Sequence, residues 1–305
     1  MPKVSILLTC YNHLRFLGPC LDSVFSQTFR DFEVIAVDDG STDGTREALA
    51  GETRLDRLIL TESNVGTYQA LNLALAEARG EFVAVLNDDD VWAPRKLERQ
   101  LELFDANPEI GLAHTDGWFI DGDGQRLEGT PLGFEFPRTE TGDVLPALIY
   151  ANKIIASAAL VRRRCFEEVG VFDPGYFGSG DWHMWLRVAE RWPVGFVPEP
   201  LTFYRVHGSN ASHKLERIWR DDERLRIWIR SKYADYLASG RDRRLLARAF
   251  AHNEACLGTV LMLNGKPREA RRAYLRSLRL RPTRVKSVLR LVGTFLPRDL
   301  FRRWL

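Results

Sequence analysis

Val34-Ile35-Ala36-Val37-Asp38-Asp39-Gly40-Ser41-Thr42-Asp43 and Phe82-Val83-Ala84-Val85-Leu86-Asn87-Asp88-Asp89-Asp90 carry one pattern twice. In each, a short apolar run ends abruptly in carboxylates. Runs this short, bounded by turn-forming residues, read as strands buried on both faces of a parallel sheet. Ligands of such sheets bind just beyond the carboxyl ends of the strands. The chain therefore gathers several like charges at one rim, where a cation or a donor-rich ligand offsets their repulsion.

Working outward, strand and helix alternate. Residues 4–9 predict a strand and 14–27 a helix, with Leu17, Leu21, Val24 and Phe25 on one face. Residues 32–38 predict the second strand. A helix then starts at 42–45, capped by Thr42 or Asp43. Residues 58–60, 68–78, 82–86 and 94–107 continue the alternation. It predicts an α/β fold with a mostly parallel sheet and helices on both faces. Beyond Gly111 the rhythm loosens: 112–116, 118–121, 155–162, 194–197 and 201–206 read as strands, and 182–191 as a helix. After Ser212 nearly everything is helical. The predicted division is a catalytic domain over 1–214 and an all-α extension over 215–305.

The formal net charge of +2 hides an uneven distribution. Residues 215–305 hold 23 Lys and Arg against 9 Asp and Glu, and residues 1–214 hold 20 against 32. Asymmetry of this size gives the two parts different jobs. Residues 4–9 are too short for a secretory leader and run into polar Tyr11-Asn12-His13. No run of 18 apolar residues predicts a membrane span. The four cysteines lack CxxC spacing and read as reduced thiols of a cytoplasmic protein.

Each motif has a plainer reading beside its chemical one. Asp38 to Asp43 can accept a nucleobase imide N–H or a ribose hydroxyl, or simply form an acidic turn with a helix cap. Asn87-Asp88-Asp89-Asp90 suits Mg²⁺ or Mn²⁺, whose oxygen ligands bridge phosphates, or a solvated turn. Asp181 precedes an amphipathic helix and is a candidate general base or a cap. His207, at a strand end, is a candidate metal ligand or phosphate donor, or a loop histidine.

Taken in order, these motifs resemble the family 2 glycosyltransferases with the GT-A nucleotide-sugar fold. The match rests on Val4 to Asn12, Val37 to Thr45, Asn64-Val65-Gly66 with Asn72, Ala78 and Gly80, and Leu86 to Asp90 with Pro94, Leu97 and Gln100. It covers roughly residues 3–212. The resemblance implies a Rossmann-like sheet and a nucleotide-sugar donor held by Thr9, Tyr11, Asn12, Asp38, Asp39, Asn64, Gly66, Asn72, Asn87 and Asp88. Asp39 contacts the base in this picture. Asp89, Asp90 and His207 are the implied ligands of a divalent cation, Mn²⁺ or Mg²⁺, and Asp181 the implied catalytic base of an inverting enzyme. Two positions depart from the family pattern: Asn87 stands where Asp is common, and Gly180 precedes Asp181 where Glu is common. The Gln-x-x-Arg-Trp motif of processive synthases is absent, which implies single additions. The implied donor is a UDP-sugar and the acceptor a glycan or lipid-linked hydroxyl, in bacterial cell-surface polysaccharide assembly. The competing expectation is an inactive sugar-nucleotide-binding or scaffold protein that acts through its helical tail.

That tail resembles one tetratricopeptide-type hairpin over 251–273. Val285, Val288, Leu289, Val292, Phe295 and Leu296 then keep a helical apolar stripe flanked by Arg284, Lys286 and Arg290. The stripe either lies on an anionic membrane at the inner face of the plasma membrane or packs on the hairpin. No nucleic-acid motif appears.

Overall fold

The computed structural model describes residues 1–210, 213–237 and 243–304. The chain forms two compact units. The first comprises Met1–Val144, Lys153–Tyr176 and Gly180–Asn210, and the second Leu145–Asn152, Phe177–Ser179 and Ala211–Leu305. The strands are β1 (Val4–Cys10), β2 (Phe32–Asp38), β3 (Arg57–Leu60), β4 (Phe82–Asn87), β5 (Val91–Trp92), β6 (Leu112–Ile120), β7 (Leu160–Arg162) and β8 (Val194–Arg205). The helices are α1 (Leu14–Phe25), α2 (Thr45–Ala50), α3 (Thr67–Glu77), α4 (Lys96–Ala106), α5 (Leu145–Tyr150), α6 (Arg163–Val169), α7 (Gly180–Ala189), α8 (Leu215–Lys232), α9 (Arg243–Leu263), α10 (Pro267–Leu280), α11 (Val285–Gly293) and α12 (Arg298–Trp304).

All eight strands join one sheet in the order β3-β2-β1-β4-β7-β6-β8-β5. The pairs β1–β2, β1–β4, β2–β3 and β6–β8 are parallel. The pairs β4–β7, β6–β7 and β5–β8 are antiparallel. β1 is buried at every residue because both faces are covered. Val4, Ile6 and Leu8 pack with Leu17, Leu21 and Val24 of α1 and with Leu97, Leu101 and Phe104 of α4. The alternate side chains face α3, where Ser5 Oγ accepts the Gly80 N–H at 2.8 Å. Each fully buried Val, Leu or Ile contributes about 1.5–3 kcal/mol.

The first 110 residues follow the sequence reading closely. Three differences appear, two of them beyond residue 110. Leu112–Ile120 and Val194–Arg205 make two long strands, not four short ones. Their pairing shifts register around Asp116, opposite the Pro198-Glu199-Pro200 stretch of β8. A bulge absorbs the prolines there, and the strand continues. Only Leu160–Arg162 of the stretch 155–162 pairs; Ala156–Ala158 form a single 3₁₀ turn. The helix after Asp43 is preceded by Gly44, in a left-handed conformation at φ 96°; Thr42 does not cap it, while Asp43 Oδ1 accepts the Thr45 N–H at 3.0 Å.

In the second unit α9 and α10 form an antiparallel hairpin. Gly265, at φ 77°, ends α9, and Lys266 N–H closes the turn on Leu261 O at 2.8 Å. Tyr274 lies over Gly258, where a Cβ would come within 2.8 Å of its ring. Leu257, Leu261, Met262, Ala270, Ala273 and Phe301 complete this small core. Among the described residues no helix is long and apolar enough to cross a membrane.

Candidate functional site

The three consecutive aspartates after β4 point to three different partners. Asp88 turns to the loop after β1, accepting the Tyr11 N–H at 3.0 Å and meeting His13 Nδ1 at 2.8 Å. Asp89 meets His207 Nε2 at 3.0 Å and accepts from Asn210 Nδ2 at 3.3 Å. Asp90 is fully buried; it accepts the Ser157 hydroxyl and the Arg205 backbone N–H. Burial and the neighbouring charge of Asp89 push the Asp90 carboxyl well above its usual range. Arg205 in turn donates to the carbonyls of Asp89 and Asp121, each at 2.8 Å.

His13, Asp89 and His207 each present one ligand atom, and these atoms lie within 4.8 Å of one another. The imidazole rings of His13 and His207 meet edge-on with centroids 5.0 Å apart, and Phe16 packs at 4.5 Å from His207. Burial alone would lower the His13 pKa. The Asp88 hydrogen bond and the charges of Asp88, Asp89 and Asp43 overcome burial and raise it to about 9. Without an ion, a proton on His13 compensates the acidic pocket; a bound cation would displace that proton and take over the same role. One carboxylate and two imidazoles fit a divalent transition ion such as Mn²⁺ better than Mg²⁺, which favours an all-oxygen shell. Asp90 does not join this trio, since Ser157 and Arg205 occupy its oxygens. His13, which the sequence did not mark as a ligand, stands in the place foreseen for Asp90. Its partner Asp88 lies 75 residues away in sequence, so local pattern did not single it out.

The segment after β2 is a second knot of carboxylates. Asp38 is fully buried and accepts the Arg46 Nε–H at 2.8 Å. Asp39 Oδ1 accepts the Val65 N–H at 2.6 Å and the Thr61 hydroxyl at 3.4 Å. Its Oδ2 accepts the Gly66 N–H and Asn64 Nδ2, each at 2.9 Å. The four lone-pair positions of this carboxylate are therefore filled by the loop 61–66. Gly40 makes the approach possible: at φ 74° its Cβ would come within 2.7 Å of the Ser63 backbone. Asn12, in a left-handed conformation, ties the loop after β1 to this segment. Its N–H donates to Ser41 Oγ at 3.0 Å, and its Oδ1 accepts the Thr42 N–H at 2.8 Å.

Other foreseen residues take mixed places. Thr9 and Asn87 pair across β1 and β4, at the ends of these strands. Tyr11 is exposed beside them. Asn72 does not join the group: its amide bonds the backbone of Phe172 in both directions, at 2.8 and 3.0 Å. Asp181 opens α7, with its Oδ1 2.7 Å from the Trp182 N–H and 3.5 Å from the Tyr68 hydroxyl. Gly180 is required by the same packing, because a Cβ there would come within 2.7 Å of the Tyr68 ring. A separate cavity of about 340 Å³ opens between Phe16, Pro19, Trp118, Phe203 and Arg205.

Residues 5–170 match the family model described as "Glycosyl transferase family 2". The chain belongs to that family. A glycosyltransferase of Nostoc sp., itself uncharacterized, is 30% identical over 221 residues, which cover 68% of this chain and 66% of that protein. The O-antigen biosynthesis protein RfbC of Myxococcus xanthus is 33% identical over 218 residues, 69% of this chain but 16% of that protein. The chain thus spans less than two thirds of either relative. Among solved structures, S. aureus TarS 1-349 in complex with UDP-GlcNAc superposes with a TM-score of 0.58 at 16% identity, covering 91% of this chain and 89% of that one. Mannosyltransferase PcManGT from Pyrobaculum calidifontis, in complex with GDP-Man and Mn²⁺, gives 0.60 at 19% identity, covering 99% and 83%. At these identities the likeness shows the fold, a GT-A-type mixed sheet with a helical C-terminal region.

Proposed function

We propose that the chain is an inverting, metal-dependent glycosyltransferase. It moves a sugar from a nucleotide-diphosphate donor, a UDP-sugar, to a hydroxyl of a glycan or lipid-linked acceptor in bacterial cell-surface polysaccharide assembly. A cytoplasmic site of action belongs to the same reading. The observation that carries it is the meeting of His13, Asp88, Asp89 and His207 beyond the ends of β1 and β4. Ligands of open α/β sheets bind at such rims. The nucleotide sugars held by TarS and PcManGT support the donor class.

In this reading Thr9, Tyr11, Asn12, Asp38 and the Asn64–Gly66 loop border the nucleoside, and Asn87 and Asp88 lie toward the ribose. Asp39 acts by holding that loop in place. His13, Asp89 and His207 would hold a divalent cation, which would supply positive charge toward the diphosphate. Asp181 accepts the proton of the acceptor hydroxyl as that oxygen attacks the anomeric carbon. The diphosphate leaves from the opposite face, so the anomeric centre inverts. A positioned base contributes about 10²–10⁴-fold. The aromatic cavity beside Trp118 and Phe203 suits an acceptor ring.

The test is thermal stability against UDP-, GDP-, dTDP- and CMP-sugars, with and without Mn²⁺. A ligand at about 100 times its Kd adds about 2.7 kcal/mol. One nucleotide should raise the midpoint in a Mn²⁺-dependent manner. Asp181→Asn should keep that shift and lose transfer. If no nucleotide sugar shifts the midpoint, the reading fails and the scaffold alternative takes its place.

A further inference from the structure

Helix α11 is built inside out. Its polar and small residues face the protein: Ser287 is 0% exposed, and Thr294, just past its end, 2%. Ser287 Oγ meets Ser277 Oγ at 3.1 Å, Arg290 donates to Thr259 Oγ1 at 3.2 Å, and Arg271 donates to Thr294 Oγ1 at 3.1 Å. Apart from Leu291, which packs against the hairpin core, the apolar residues face out. Val285, Val292 and Phe295 are 66%, 65% and 72% exposed, and Val288, Leu289 and Leu296 lie on the same stripe. Leaving each such side chain in water forgoes about 1.5–3 kcal/mol. A contiguous apolar patch of this kind marks an interaction surface.

The charge around the patch selects its occupant. Residues 266–305 hold 13 Lys and Arg and only 2 acidic residues. Arg281 and Lys286 are exposed beside the stripe, and the Arg271 guanidinium sits 4.3 Å from the Phe295 ring centroid. A two-fold contact with a second copy would set these basic rims against each other. Anionic headgroups complement them, and acyl chains accept the apolar stripe. Nine helical residues reach about 14 Å, too short for a hydrocarbon core of about 30 Å.

We infer that α11 and the following Thr294–Leu296 turn dock this protein on an anionic lipid surface, with the helix axis in the plane of the membrane. Val285, Val292 and Phe295 enter the acyl boundary, and Arg281 and Lys286 meet the headgroups. This inference is independent of the glycosyl-transfer reading.

The experiment is co-sedimentation of the full chain with phosphatidylcholine vesicles, with and without phosphatidylglycerol, at low and high salt. Binding should require phosphatidylglycerol and weaken with salt. Lys286→Ala should weaken it about fivefold, the effect of about 1 kcal/mol per basic residue. The double variant Val292→Asn/Phe295→Asn should weaken it at least about tenfold. Both changes are on exposed side chains, and an unchanged melting midpoint verifies the fold. Absence of binding to phosphatidylglycerol vesicles overturns the inference, and so does undiminished binding by the double variant. A concentration-dependent dimer that the double variant abolishes would assign the face to a second copy instead. The donor-induced stability shift is read in the same variants without vesicles, so either reading can fail alone.

Discussion

His114 should make the sheet unit acid-sensitive in a measurable way. Its ring is fully buried in β6, with Nε2 2.7 Å from Thr139 Oγ1 and Nδ1 without a side-chain partner among the described residues. Phe196 packs against it at 4.9 Å. Burial lowers its pKa to about 3 from an ordinary 6.5. The folded chain therefore keeps this ring neutral where the unfolded chain protonates it. The contribution to stability is present above pH 6.5 and is lost as pH falls toward 3. Between pH 7 and pH 4.5 the loss is about 2.5 kcal/mol. The figure barely changes if the folded pKa lies anywhere below about 4, because the unfolded chain sets the uptake. The assay is urea unfolding of wild type and His114→Gln at several pH values across that range. Subtracting the two curves cancels the carboxylates and the other histidines. The difference should change by about 2.5 kcal/mol in favour of the variant at the acid end. Parallel curves would refute the reasoning, as would a His114 ring resonance that titrates with a midpoint above about 5.

Other outcomes follow from particular contacts. His13→Ala or His207→Ala should each remove the Mn²⁺-dependent part of donor-induced stabilisation, read by the same melting assay; a retained Mn²⁺ response would break the trio. Asp39→Ala strips the Val65 and Gly66 N–H groups of their acceptor and should cost about 1–3 kcal/mol, measured by urea unfolding. A variant that unfolds like wild type would show that water replaces the carboxylate at no cost. Gly180→Ala should destabilise by about 1–3 kcal/mol through overpacking against Tyr68. Alanine is the better helix former by about 0.5–1 kcal/mol, so a raised melting midpoint would mean that Tyr68 yields freely.

Legibility in the sequence followed the range of the interactions. β2 and β4 were readable because both ends of each apolar run are marked by local residues. β6 and β8 were read as broken because Asp116-Gly117 and Pro198-Glu199-Pro200 look like turns. A bulge between the two strands accommodates them, and a bulge depends on the partner strand. Residues 155–159 looked like strand for their apolar content, yet their 3₁₀ turn brings the Ser157 hydroxyl to Asp90. The acidic clusters were legible as a site, but not their division of labour. Which aspartate meets which histidine depends on contacts spanning 75 and 118 residues. The apolar stripe of α11 was visible as a period, and only its packing revealed which side faces water.

The three aspartates after β4 behave like a message with a reading frame. Asn87 stands opposite Thr9 in the β1–β4 ladder, and the next three residues are dealt in turn to the β1 loop with His13, to His207 and to the buried arginine. Slipping that frame by one position keeps all three carboxylates and their charge, yet reassigns every one of them. Loss of Asn87 alone should therefore be as damaging as loss of the whole triplet. Gain or loss of a residue in the exposed stretch near Gly129 leaves the frame untouched. At this rim it is position in the ladder, more than acidic content, that natural variation has to preserve.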